Sequence, residues 1–99
     1  MVHLPDILFV TTDEIDHRNK LVYLNDNLQC TLMNCTLNKL LKLAPQLIQV
    51  NKSELISLRI IKNVEFDVLT LHNFNQNKQE KQITLGHLYR KNFIRLLLK

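Results

Sequence analysis

Apolar and polar positions alternate in short runs along most of this chain, and switch to a three-four spacing in two places. Asp6–Thr12 (DILFVTT) is a β-branched and aromatic run after Pro5 and predicts a strand. A polar loop, 13–19, follows. Lys20–Leu24 and Leu28–Met33 then flank Asn25-Asp26-Asn27, whose side chains tolerate positive φ and bond their own backbone, so a hairpin is expected. Leu37, Leu40, Leu41 and Ala44 recur at helical spacing behind Thr36, an N-cap residue, and Pro45 stops the helix. The organising stretch is Leu47–Ile61 (LIQVNKSELISLRII). Its two apolar runs, 47–50 and 58–61, read as strand termini on either side of the polar turn Asn51-Lys52-Ser53-Glu54.

Lys62–Leu71 alternates through Val64, Phe66, Val68 and Thr70, and predicts one further strand. His72–Gln82 reads as a polar hairpin loop, and Lys81–Leu85 as the last strand. The single glycine, Gly86, stands where the backbone must either take positive φ or approach something closely. Tyr89, Phe93, Leu96 and Leu97 then mark one face of a terminal helix or helical turn, with Arg90, Lys91 and Arg95 largely off it. Repeats, low-complexity stretches and linkers are absent, so residues 1–99 read as one domain, mainly β, with one short internal helix and a C-terminal helical element.

Composition narrows the function classes. A 99-residue chain that is 45% hydrophobic and 22% charged is ordinary globular material. The longest apolar run, Ile7–Val10, falls far short of the roughly 20 residues needed to span a bilayer. No basic-then-apolar leader is visible at the N-terminus, so a cytoplasmic chain is expected. Cys30 and Cys35 lack a framework spacing, which fits a reducing compartment. Net charge is +4 and unevenly placed: residues 1–16 hold four acids and no Lys or Arg, residues 81–99 five bases and no acid. Such asymmetry suits a polyanionic partner approached from one side.

The order and spacing of four segments resemble the LytTR family, the mainly β DNA-binding output domain of many bacterial response regulators. They are DILFV (6–10), TLNKLLKLAP (36–45), IQVNKSELISLRII (48–61) and TLGHLYRKNFIRLL (84–97), and together they span almost the whole chain. The resemblance implies an elongated multi-sheet β domain. It also implies sequence-specific binding of double-stranded DNA at promoter repeats, under a two-component system, with a homodimer on DNA as a further expectation. Three loops carry the implied contacts. His17 or Arg18 occupies the place of a loop side chain that enters a major groove. Lys52-Ser53 matches a DNA-contacting Arg/Lys-Ser pair, with Asn51 beside it. His87 stands where the family most often has a base-reading arginine, followed by Arg90 and Lys91 as phosphate contacts. His87 and Ser57 (usually asparagine) depart from the family pattern. Histidine offers fewer donors to guanine than an arginine fork does. No receiver domain is expected, since all 99 residues are spent on this module, and the segment before DILFV is shorter than the family often shows.

The residues also have plainer readings. His17 suits an ordinary loop histidine as well as a contact, and His72 reads as unremarkable. Arg90 and Lys91 suit a solvated helix face. Four scattered histidines and two cysteines show no ligand spacing, so no metal or cofactor is expected. Ser53 beside a histidine lacks a nucleophile elbow, triad spacing or oxyanion loop, so the chain reads as no enzyme, with no small-molecule substrate and no membrane partner. The rival from another class is a protein-interaction module that keeps this fold without base readout.

Overall fold

In the computed structural model, residues 3–25, 28–72 and 80–98 are described. After a 3-10 turn at Leu4–Asp6 the chain forms β1 (Ile7–Thr12), β2 (Lys20–Leu24), β3 (Gln29–Leu32), α1 (Leu37–Leu43), β4 (Leu47–Asn51) and β5 (Glu54–Ser57). A 3-10 turn at Leu58–Ile60 leads to β6 (Ile61–Glu65), β7 (Val68–Leu71) and β8 (Lys81–Thr84). A last 3-10 turn at His87–Tyr89 runs into α2 (Arg90–Leu97). Two antiparallel sheets result, one ordered β3-β2-β1-β5-β4 and the other β6-β7-β8.

β1 sits at the middle of the larger sheet, and its first four residues are all buried. A bulge between Ile7 and Phe9 shifts its register against β2. The slip lets Leu8 and Phe9 enter the same core while Ile7 and Val10 enter the other. One core joins Phe9, Ile48, Val50 and Ile56 of the larger sheet to Leu69, Leu71 and Ile83 of the smaller one, closed by Phe93 of α2. The other packs Val10, Val22 and Leu55 under Leu40 and Ala44 around α1. A seven-residue helix is too short to persist alone, so α1 depends on this burial and on its cap. Thr36 Oγ1 accepts from the Lys39 amide at 3.2 Å, as its position predicts. Phe93 is wholly buried, and truncating so large a core side chain typically costs about 3–5 kcal/mol.

Three expectations change and one open choice is settled. Leu58–Ile60 is a 3-10 turn, and the strand that pairs with β4 is Glu54–Ser57. The buried Ser57 hydroxyl accepts from the Arg59 amide at 3.3 Å and turns the chain there. Lys62–Leu71 is two strands, because the chain reverses at Phe66-Asp67 with Phe66 at φ 54°. Gly86 has φ −67°, so positive φ is not its purpose. Close approach is: a Cβ there would lie 3.1 Å from Tyr89 Cδ2 and 3.4 Å from Asn51 Cα. The envelope measures 33 × 28 × 26 Å, nearer isometric than elongated. The expected loop at His72–Gln82 and turn at Asn25-Asp26-Asn27 fall mostly outside the described residues.

Candidate functional site

Backbone cross-links bring together the three loops singled out in the sequence. The Thr12 amide and hydroxyl both donate to the Ser53 carbonyl, at 3.0 Å each, tying the start of loop 13–19 to the 51–54 turn. The Gly86 amide donates to the Val50 carbonyl at 2.7 Å, tying the 85–87 segment to the same turn from the other side. Asn51 reinforces the second tie, its Nδ2 donating to the Thr84 carbonyl at 2.8 Å. His17, Lys52-Ser53 and Gly86-His87, far apart in sequence, therefore belong to one continuous assembly of loops.

The first loop is fastened at several points. Its ends meet through the Asp13 amide and the Asn19 carbonyl (3.1 Å), and the Asn19 amide returns to the Asp16 carbonyl (2.9 Å). Asp16 also accepts from the Arg18 amide and, on both carboxylate oxygens, from the Arg18 guanidinium at 3.0 and 2.9 Å. The guanidinium holds the Asp16 carboxyl below its ordinary range, and the carboxylate in turn raises Arg18. Beneath the loop the buried Lys20 ammonium donates to the His17 carbonyl. His17 itself is exposed. It lines one open groove with Thr12, Lys20, Thr36, Leu37, Lys52 and Ser53, and adjoining depressions with Arg18, Asn34, Cys35 and Asn51.

The remaining expected residues divide by how far their polar atoms are already engaged. Asn51 is consumed internally: besides Thr84, its Nδ2 reaches Glu54 Oε1 at 2.9 Å and its Oδ1 accepts from the Ser53 amide at 2.9 Å. This is an Asx turn that shapes Lys52-Ser53 and leaves both side chains exposed. Arg90 pairs with Asp67 and donates to the Phe66 carbonyl at 3.2 Å, so its guanidinium caps the β6–β7 turn. His87 and Lys91 are exposed. Lys20, Thr12 and Thr36 line the groove but were not expected there. The alternation of KLVYL marks Lys20 as a strand residue, and only the fold places its amine under His17. Cys30 and Cys35 are free thiols, half-buried. Among the described residues no cluster of three or more metal-ligating side chains occurs, and no helix is long and apolar enough to cross a membrane.

The same architecture occurs in a solved LytTr DNA-binding domain of a response regulator from Bacillus cereus. That structure superposes with a TM-score of 0.67 over 97% of this chain and 84% of the other, at 16% identity. The chain therefore has the LytTR fold. No family model and no curated protein matches the sequence.

Proposed function

We propose that this chain binds double-stranded DNA through the side formed by the three joined loops, as the output module of a transcription regulator. The observation that carries the reading is the linkage of loop 13–19, the 51–54 turn and segment 85–87 in a fold shared with a DNA-binding domain. His17 and His87, exposed on the two outer loops, are the proposed base readers in the major groove, with Lys52 entering beside them and Arg18, its guanidinium held on Asp16, flanking His17. Ser53 and Lys91 contact phosphate oxygens, which position the domain without reading it. Asn51 and Arg90 act at the backbone clamp chiefly by holding the turns that present it, since their polar atoms are bonded within the protein. The role is non-catalytic. A cytoplasmic bacterial setting, a two-component signal upstream and paired copies on promoter repeats accord with the response-regulator neighbour.

The deciding experiment is a mobility shift on mixed duplexes across a salt series. Neutralising about four to six phosphates predicts a slope of log affinity against log salt of roughly −4 to −5. Retention that ignores salt, or no retention, refutes the reading. On a selected site His87→Ala should cost about 1–3 kcal/mol and little on random duplex, whereas Lys91→Ala should weaken both equally and reduce the slope by about one.

A further inference from the structure

Loop 13–19 carries one side chain that neither the core nor the charged contacts account for. Ile15 is 97% exposed, in a loop whose other members are Asp13, Glu14, Asp16, His17, Arg18 and Asn19. An isolated surface aliphatic is unremarkable on a mobile loop. This loop is fastened: the Ile15 amide donates to Asp13 Oδ1 at 2.9 Å, the loop ends meet through Asp13 and Asn19, and Arg18 is held on Asp16. Ile15 is also β-branched and stiff at χ1, so ordering it on contact costs little entropy. The chain thus holds a rigid apolar tip in water two residues from His17, at the proposed groove-entering loop. Its neighbours along the loop are all polar, so the loop itself offers no contiguous apolar area of the kind a protein partner's face requires.

We propose that Ile15 reads DNA directly, by packing its aliphatic tip against the 5-methyl group of a thymine in the major groove, a role that rests on the DNA-binding reading above. Among the major-groove base edges only thymine presents a methyl group, and an apolar side chain is what discriminates it. His17 then reads a hydrogen-bonding edge close by, so one loop reports both kinds of feature.

The test begins with a preferred duplex selected by this chain from a random pool. Each thymine of that site is replaced in turn by deoxyuridine, which removes the methyl group and keeps every hydrogen-bonding atom. Affinities are measured for the wild type, Ile15→Ala and Leu28→Ala. Leu28 is a second exposed aliphatic, at the opposite end of the β2–β3 hairpin from loop 13–19. Burying one methyl group corresponds to about a fourfold change in affinity. At one thymine, uracil should weaken the wild type and Leu28→Ala by about that factor and leave Ile15→Ala unaffected. Ile15→Ala should melt with the wild type, since its side chain touches nothing in the core. The inference is overturned if no thymine shows methyl dependence, if the dependence persists in Ile15→Ala, or if the preferred site contains no thymine. Failure of the wild type to retain any duplex instead sinks the DNA reading, and this inference with it.

Discussion

Replacing Asn51 by aspartate tests whether this residue builds the central turn or meets an external anion. The substitution is isosteric and keeps the acceptor for the Ser53 amide, but it converts a donor into a second carboxylate oxygen. That oxygen would face Glu54 Oε1, which the amide now meets at 2.9 Å, and the Thr84 carbonyl, met at 2.8 Å. Two hydrogen bonds at about 1 kcal/mol each are lost. Repulsion between the two half-buried carboxylates adds on the order of 1 kcal/mol after screening by solvent. The sum is about 3 kcal/mol, and Asn51→Ala, which adds no charge but loses all three side-chain bonds including the one from the Ser53 amide, also costs about 3 kcal/mol. Denaturant unfolding at pH 7 should show both midpoints well below the wild type, by similar amounts and with an unchanged m-value. Repulsion raises the folded-state carboxyl pKa above its unfolded value, so the repulsive part of the aspartate deficit is full at neutral pH and shrinks as pH falls through the carboxylate range. The aspartate midpoint should therefore rise relative to that of alanine as pH falls toward about 4. An aspartate variant as stable as the wild type at pH 7 would refute the internal role and return Asn51 to the outer surface of the turn.

Gly86→Ala should lower stability by up to about 1 kcal/mol in a thermal melt. Backbone at φ −67° suits alanine, but its Cβ would press Tyr89 Cδ2 at 3.1 Å, and Tyr89 is fastened by its amide to the Gly86 carbonyl. A rise in melting temperature would show that the ring yields freely. Phe66→Gly should stabilise by about 0.5–1 kcal/mol, because φ 54° strains a bulky residue whose side chain is 83% exposed and loses little burial. A loss of stability would place the phenyl group in a contact that matters. Asp16 has a depressed folded-state pKa, so its support of the 13–19 loop is complete above the unfolded carboxyl pKa and fades as pH falls through the folded one. An NMR titration should find its midpoint moving upward in Arg18→Gln, and an unmoved midpoint would show that the guanidinium is not its cause.

Local pattern alone determined much of the fold. β1, β2, α1 and α2 announce themselves by apolar spacing, because a residue that must be buried every second or every third-to-fourth position constrains composition directly. Thr36 and Pro45 bracket α1 through effects that act within one turn of chain. The ordering of segments carried the LytTR fold, which the superposition bears out. Tertiary structure decided the rest. Val64, Phe66 and Val68 alternate as an uninterrupted strand would, with no glycine or asparagine to mark a reversal. The chain nevertheless turns at Phe66-Asp67, where Arg90, distant in sequence, bonds both residues. Gly86 read equally well as a positive-φ glycine or a close approach, because only the packing of Asn51 and Tyr89 distinguishes them. The candidate site divides the same way. Its residue types and three loops are visible in the sequence, whereas the bonds from Thr12 to Ser53, Gly86 to Val50 and Asn51 to Thr84 are not. Those bonds span up to 41 residues and settle which polar groups face outward and which are spent holding the loops together. No short-range pattern encodes that partition, since the same asparagine or arginine suits either role until its partner is folded beside it.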